Sequence, residues 1–259
     1  MIIPNSTKKI NIKKCSLLIS SFDGYSDLWS LNKMAFDKYW PDCPLEKYLL
    51  TNKKDSNLEG FRSLKTGEDI DWSTNLIAGL LKLPSEYIFL TNDDQIIIDH
   101  INSDLFIRYL SMCIENNWNY LRFHNSPREY FLIDKMVSKI GKRSDYRTSV
   151  KTALFKKSVL VDLLQSGESA WDFETAGSLR SEKYDDFYTM NENLFTHVNL
   201  IVKGMLEPIA NWKMNKAGLY LKGSKYKKLD TLAVLKDYIK RIIWKHGPIQ
   251  RFFRKFTKV

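Results

Sequence analysis

The feature that most constrains the fold is a series of short apolar segments, each ending in polar residues and followed by helical periodicity. The first, Cys15–Ser20, reads CSLLIS and runs into a polar turn over residues 21–25. From about Ser26 apolar residues recur at helical spacing until Pro41, which ends the helix. A second strand, Glu46–Thr51, follows. Because strand, helix and strand in succession build parallel sheets, the sequence predicts an α/β fold.

The same alternation continues along the chain. Asp71 or Ser73 can cap a helix that stops before Pro84, and the apolar strand at residues 87–90 runs directly into Thr91-Asn92-Asp93-Asp94. Further elements are expected as helices at 104–115 and 157–164, strands at 119–123, 148–155 and 197–202, a polar aromatic segment at 167–174 and a hinge at 218–228. These patterns predict a mostly parallel sheet flanked by helices, in a catalytic-sized domain spanning residues 1–224.

Composition places the chain among globular proteins. Its 259 residues are 44% hydrophobic and 13% aromatic, enough to bury a core. The three cysteines show no CxxC spacing, which disfavours a disulfide framework or a zinc knuckle and favours a reducing cytoplasm. We expect neither a signal peptide nor a membrane span, because no apolar run is long enough.

The net charge of +10 is concentrated at the C-terminus, where residues 225–259 carry eleven basic and two acidic side chains. Apolar and basic residues alternate there at helical spacing, which predicts an amphipathic helical tail on an anionic membrane surface. The residues expected at that surface are Lys240, Arg241, Trp244, Phe252, Phe253 and Arg254. The alternatives are a helix packed on its own domain or on a second subunit, and a nucleic-acid arm. The nucleic-acid interpretation is disfavoured because it leaves the polar strand ends without a role.

Those polar strand ends are the first candidates for function, since ligands bind at the carboxyl ends of strands in open α/β sheets. They supply Ser21, Asp23 and Tyr25 after the first strand, Asn52 after the second, and Asp93 and Asp94 after residues 87–90. Adjacent carboxylates repel unless a cation lies between them, so we expect Mn²⁺ or Mg²⁺ bound by Asp94, with Asp93 as a ligand or a ribose contact. Alternatively, the pair caps a turn and Asp23 belongs to a surface turn.

The segments LLISSFDGYSDLW, YLLTN, GEDIDWSTNLIAGL, YIFLTNDDQ and ESAWDFE resemble a group of bacterial glycosyltransferases found with O-antigen and capsule synthesis. This group is related to the GT-A-like nucleotide-diphospho-sugar transferases, and the resemblance covers roughly residues 15 to 210. It implies a GT-A-like (Rossmann-like) fold and a nucleotide-sugar donor near Ser21, Asp23, Tyr25 and Asn52. It also implies a metal or diphosphate site at Asp93 and Asp94. Residues 95–97 depart from the group, in which aromatic residues often follow the acidic pair.

An inverting transferase needs a general base, for which Glu174 is the first candidate and Asp172 the second. Trp171 could desolvate the carboxylate and support a sugar ring, although an acidic helix start beside a packed tryptophan is the simpler alternative. Arg180 and His197 are candidates for diphosphate contact and metal ligation. The expected protein is cytoplasmic and peripheral on the inner face of the plasma membrane, with a saccharide or lipid-linked acceptor. A metal-dependent nucleotidyl or phosphoryl transferase is the enzymatic alternative, although no glycine-rich phosphate loop is present.

Overall fold

The computed structural model describes residues 11–125, 131–133, 135–223 and 225–230. The strands in these ranges are β1 (Cys15–Ser20), β2 (Glu46–Thr51), β3 (Phe61–Lys65), β4 (Tyr87–Asn92), β5 (Gln95–Ile97), β6 (Tyr120–Arg122), β7 (Phe131–Leu132), β8 (Val137–Lys139), β9 (Ala153–Lys156), β10 (Phe187–Met190), β11 (His197–Asn199), β12 (Ile201–Val202) and β13 (Met205–Leu206). Nine of these described strands form one sheet in the order β3-β2-β1-β4-β9-β6-β10-β8-β7. Separate two-stranded ladders join β11 to β5 and β12 to β13.

The large sheet is mostly parallel. Strands β3, β2, β1 and β4 are paired in parallel, and so are β6 and β10. Strand β9 lies antiparallel between β4 and β6, while β8 is antiparallel to both β10 and β7. Seven of the nine described strands therefore run in one direction, and the β3-β2-β1-β4 half has the strand order of a Rossmann-like sheet.

Helices flank the sheet on both faces. They are α1 (Ser26–Tyr39), α2 (Trp72–Lys82), α3 (Ser103–Glu115), α4 (Lys157–Leu163), α5 (Ala170–Asp172), α6 (Ser178–Arg180) and α7 (Pro208–Lys216), with a π-helical turn, Phe173–Gly177, joining α5 to α6. Local sequence explains their ends. The Asp71 side chain caps α2 by accepting a hydrogen bond from the Thr74 amide at 2.8 Å, and α1 ends beside Pro41.

The sheet is buried on both faces, which explains the continuous apolar runs in its central strands. On one face Leu17, Ile19 and Phe89 pack with residues of α1 and α3. On the other, Leu18 and Leu90 pack with residues of α2 and α4. Full burial of each such side chain contributes about 1.5–3 kcal/mol to folding.

The sequence predicts these central elements closely. Strands β1 and β2 have the expected bounds, and α1, α2, α3 and α4 begin and end within two residues of expectation. The expected strand over 148–155 is wrong in its first half, because only Ala153–Lys156 pairs with other strands. The expected strand over 197–202 is interrupted at Leu200, whose amide donates instead to the Asp94 carbonyl oxygen at 2.8 Å.

Residues 225–229 are bonded to the domain. Lys225 Nζ lies 2.9 Å from a carboxylate oxygen of Asp27, and the Tyr226 hydroxyl donates to the same oxygen at 2.9 Å. The amide of Leu229 donates to the Leu206 carbonyl at 2.9 Å. These contacts lie just beyond the expected boundary at residue 224, which stays a prediction.

The rest of the basic tail, including Lys240, Arg241, Trp244, Phe252, Phe253 and Arg254, lies outside the described residues. Among the residues that are described, no helix has the length and apolar character needed to cross a membrane.

Candidate functional site

The candidate site lies where the sheet reverses its strand order. From β1 the chain adds β2 and then β3 on one side, and then returns to place β4 on the other side of β1. The register pairs Ser20 of β1 with Asn92 of β4, so the polar residues that follow both strands emerge together at this edge. In open α/β sheets, such a switch point at the carboxyl ends of the strands is where ligands bind.

Asp23 and Asn52 join the ends of β1 and β2 by reciprocal hydrogen bonds. The Asp23 carboxylate accepts the backbone amides of Asn52, Lys53 and Lys54, each at 3.0 Å. In return, the Asn52 side-chain oxygen accepts the Asp23 amide at 2.9 Å. Partial burial raises the pKa of Asp23, but these three amides outweigh it and hold the pKa below its ordinary value. The two expected donor-binding residues are thus brought together in one rigid loop pair.

Ser21 and Asp93 join the ends of β1 and β4. The Ser21 hydroxyl donates to the Asp93 carboxylate and accepts the indole N–H of Trp29 at 2.7 Å. Asp93 is only 4% exposed, and burial, followed by the charge of Asp94, raises its pKa well above the ordinary value. Its backbone carbonyl accepts the side-chain amide of Asn32 at 2.6 Å. The Asp93 carboxyl is therefore enclosed by protein groups. This agrees, for Asp93, with the alternative in which the acidic pair serves the structure of a turn.

Asp94 occupies the turn between β4 and β5 and is half-buried. Burial raises the pKa of its carboxyl to about 6, and the positive charge of Lys151 opposes this rise. Of the acidic pair, Asp94 is thus the carboxylate that is less enclosed.

His197 begins β11, which pairs with β5 immediately after Asp94. Burial, with the Lys151 charge in support, lowers its pKa to about 4, so the imidazole is neutral at physiological pH. Its Nδ1 atom is buried and has no hydrogen-bond partner within the described part of the chain. The structure therefore brings Asp94, His197 and Lys151 into one neighbourhood.

The metal ligands expected at this edge are Asp93, Asp94 and His197. Over the described ranges, no group of three or more His, Cys, Asp or Glu side chains is arranged to hold a metal ion. One oxygen of the Asp93 carboxylate accepts the Ser21 hydroxyl and the side chain is buried, so Asp94 is the more accessible carboxylate of the acidic pair. The expected use of Mn²⁺ or Mg²⁺ stays a prediction.

Tyr25 lies beside the acidic pair. Burial and the charges of Asp93 and Asp94 raise the pKa of its hydroxyl, while its ring packs at 4.6 Å on Phe22 and at 5.9 Å on Tyr226. Phe22 and Tyr226 thus cover part of the Tyr25 ring, and the nucleotide contact expected of Tyr25 stays a prediction.

Glu174, the expected general base, is 7% exposed and lies in the π-helical turn. One carboxylate oxygen accepts the Ser149 hydroxyl at 2.7 Å and the Val150 amide at 3.1 Å. Val150 reaches the same sheet edge, where its carbonyl accepts the Asn92 side-chain amide at 3.5 Å. This geometry favours a positioning role for Glu174 over proton transfer.

Asp172, the second candidate base, forms a capping box with Ser169. Its carboxylate accepts the Ser169 hydroxyl at 2.6 Å and the Ser169 amide at 3.0 Å, and these bonds lower its pKa. Trp171 is 66% exposed, so it does not desolvate Glu174 as expected. The contacts of Asp172 favour the helix-start alternative, but Trp171 is not the packed tryptophan that this alternative expects.

Arg180, the expected diphosphate contact, is engaged in a structural network. Its guanidinium forms a bidentate pair with Glu168 at 2.6 and 2.8 Å, and also donates to the carbonyl of Leu163 at 2.8 Å and to Gln165 at 3.2 Å. These contacts use most of its N–H groups, and the diphosphate contact expected of Arg180 stays a prediction.

Three residues at the edge escaped sequence reasoning. The exposed Asp69 accepts the side-chain amides of Asn75 at 2.8 Å and of Asn52 at 3.5 Å. Lys151 follows directly on Val150. The expectation that site residues follow directly on the carboxyl ends of strands could have found none of them. They come from a loop, a helix and the segment before an antiparallel strand.

Two surface depressions in the described part of the chain lie elsewhere. Both are lined by Lys142, with Arg147 in one and Tyr146 in the other, and neither is lined by Asp93 or Asp94. The candidate site is thus defined by converging side chains at the switch point and not by these depressions.

No protein-family model matches the chain, and no curated protein sequence matches it. Among solved structures, the chain is similar to residues 1–349 of TarS from S. aureus, with a TM-score of 0.46 and 11% identity over 70% of this chain and 59% of that chain. It therefore spans about three fifths of that TarS structure. A cytidylyltransferase from Leptospira borgpetersenii has a TM-score of 0.45 and 10% identity, covering 89% of this chain and 96% of that one. A UDP-glucose pyrophosphorylase complexed with UDP-glucose has a TM-score of 0.42 and 7% identity, covering 71% and 92%. At these values the similarity is distant, and the function is inferred from the geometry of the sheet edge.

Proposed function

We propose that this chain is a GT-A-like glycosyltransferase that moves a sugar from a nucleotide-sugar donor to a saccharide or lipid-linked acceptor. The observation that carries the proposal is the meeting of Asp23 with Asn52, and of Ser21 with Asp93, at the switch point of a mostly parallel sheet. Strand ends with converging polar groups are where such sheets bind nucleotides. The sequence resemblance to O-antigen and capsule glycosyltransferases supports the same class.

In this proposal the nucleoside lies over the Asp23–Asn52 loop pair, which is held rigid by four hydrogen bonds and is therefore preorganised. The diphosphate extends toward Asp94 and Lys151. Transfer breaks the bond between the anomeric carbon and a diphosphate oxygen, which leaves with the electron pair. The acceptor hydroxyl oxygen bonds to that carbon and gives its proton to a base.

The membrane proposal rests on sequence. Residues 231–259 carry most of the basic and aromatic residues that would bind anionic lipid, and such binding would keep the enzyme on the inner face of the plasma membrane. A lipid-linked acceptor of surface polysaccharide synthesis would then be within reach.

The test is a thermal-shift screen of the full chain against UDP-, CDP-, GDP- and dTDP-sugars, with Mn²⁺, with Mg²⁺ and with EDTA. A donor at 100 times its Kd stabilises the native state by about 2.7 kcal/mol. Product analysis then separates the two enzymatic alternatives. Glycosyl transfer releases a nucleoside diphosphate, whereas nucleotidyl transfer makes or breaks the bond at the α-phosphate. Failure of every nucleotide and nucleotide sugar to bind would refute the proposal.

A further inference from the structure

The segment before β9 presents one lysine at the proposed donor edge. The antiparallel register pairs Leu90 with Ala153, and beyond it the side-chain amide of Asn92, the last residue of β4, donates to the carbonyl of Val150, the neighbour of Lys151, at 3.5 Å. Lys151 is exposed, and over the described ranges its ammonium has no hydrogen bond or ion pair. Its charge nevertheless acts on both Asp94 and His197. An unpaired cation thus stands beside the polar strand ends.

The backbone around this lysine is fixed by buried side chains. On the N-terminal side, Glu174 accepts the Ser149 hydroxyl and the Val150 amide, and the Tyr120 hydroxyl bonds both the amide and the carbonyl of Ser149 at 3.0 and 3.1 Å. These groups replace the strand pairing that the sequence predicts for residues 148–152.

On the C-terminal side, the Gln95 side-chain oxygen accepts the amide and the hydroxyl of Thr152 at 3.2 and 3.3 Å. Ser149, Val150 and Thr152 are all buried, whereas Lys151 between them is exposed. Burying a carboxylate is costly unless hydrogen bonds satisfy it, and Glu174 accepts two from this segment. The arrangement fixes the backbone from which the flexible, cationic side chain of Lys151 extends.

We infer that Lys151 is the cationic residue that binds the donor diphosphate, and that Glu174 and Gln95 are positioning residues that hold its backbone in place. This inference rests on the proposed function. An ammonium at this place can offset part of the negative charge of the diphosphate as it leaves with its electron pair. It also gives the buried carboxylate of Glu174 a role that needs no contact with the acceptor.

The first experiment is isothermal titration calorimetry of the full chain in EDTA. Its probes are a nucleoside diphosphate and the corresponding nucleoside. The base is that of the nucleotide sugar that raises Tm in the thermal-shift screen. We expect Lys151→Gln to weaken diphosphate binding about tenfold or more while leaving nucleoside binding unchanged, since hydrogen bonds to charged groups are among the stronger ones. The matched control is Lys156→Gln, at the other end of β9, where Lys156 bonds Asn117 at 2.7 Å. The control should bind like the wild type.

The second experiment separates positioning from proton transfer. Glu174→Gln keeps an oxygen that can accept both hydrogen bonds, so it should preserve diphosphate affinity and most transfer activity. Glu174→Ala should weaken diphosphate binding, and Ser149→Ala should do so more mildly if Glu174→Ala fails to fold.

The outcomes are distinct. If Lys151→Gln binds the diphosphate like Lys156→Gln, or if EDTA abolishes wild-type binding, the inference is overturned while the proposed function stands. If Glu174→Gln loses transfer but binds donor normally, Glu174 is the general base and its positioning role is rejected. If the wild type binds no nucleotide at all, the proposed function and the inference both fail.

Discussion

The Asp23 carboxylate accepts the Asn52 amide at 3.0 Å while the Asn52 side chain accepts the Asp23 amide at 2.9 Å. This reciprocal pair locks the loops after β1 and β2 to each other. Because two further amides also bind Asp23, the carboxylate satisfies three backbone donors. The proposed donor edge is therefore already shaped before any ligand binds, which lowers the entropy cost of binding.

Asp23→Ala should destabilise the protein by about 1–2 kcal/mol, because it leaves backbone amides without their acceptor. It should also weaken donor binding. The lowered pKa of Asp23 means that its contribution is present above its unfolded pKa of about 3.9 and is lost as the pH falls through the lower folded value. Urea denaturation at pH 7 and pH 3 measures the loss of stability and its dependence on pH. The control is Asp37→Ala, which removes an exposed ion pair with Lys33. An Asp23→Ala variant as stable as Asp37→Ala at pH 7 would contradict the prediction.

Asp93→Asn should gain stability relative to the wild type as the pH rises. Burial raises the pKa of Asp93, so the native state holds its proton where the unfolded state has lost it, and this contribution falls as the pH rises from about 4 through the folded pKa. Asparagine retains an oxygen that can accept the Ser21 hydroxyl and carries no charge. Thermal melts of both proteins from pH 5 to pH 8 give the test. A difference in Tm that is independent of pH would show that the carboxyl does not titrate as expected.

Arg180→Ala should lower stability by about 1–3 kcal/mol without changing the Kd of the donor. The pair with Glu168 is largely buried, with side chains 21% and 14% exposed, and the substitution leaves the glutamate without its partner. Chemical denaturation and donor titration together give the measurement. If the variant keeps its stability but binds the donor more weakly, the result would support the diphosphate contact expected of Arg180.

Deleting residues 231–259 should release the protein from vesicles containing phosphatidylglycerol while leaving donor binding intact. The deletion removes most of the basic residues of the tail but keeps the segment 225–230 that packs on the domain. Co-sedimentation with anionic and neutral vesicles at two salt concentrations measures the effect. Undiminished sedimentation of the truncated protein with anionic vesicles would assign the binding to another surface.

The central half of the fold could be predicted because its strands are buried on both faces and its helices carry caps. Strand β1 is apolar along most of its length, and Asp71 marks the start of α2. The other half of the sheet, from β9 to β7 in the strand order, could not be predicted in the same way. Strands such as β8 and β10 have only three or four residues, too few to show a period.

The candidate site was predictable only where side chains follow directly on parallel strands. Asp23 and Asn52 meet as expected, and Ser21 meets Asp93. Lys151 was missed because a lone lysine in a segment predicted as a strand carries no signal of its own. Its placement depends on hydrogen bonds that the neighbouring Val150 and Thr152 amides donate to Glu174 and Gln95, which are 23 and 56 residues from Lys151 in sequence.

The bond between Tyr226 and Asp27 joins residues 199 positions apart. During synthesis, the partners of Asp27 therefore emerge from the ribosome long after the first strand. At about 5–20 residues per second, that delay amounts to roughly 10–40 s. The first turn of α1, which directly follows the Asp23 loop, thus acquires these neighbours only after 199 further residues have been synthesised, so the native contacts of this edge cannot all form while its own strands are being made.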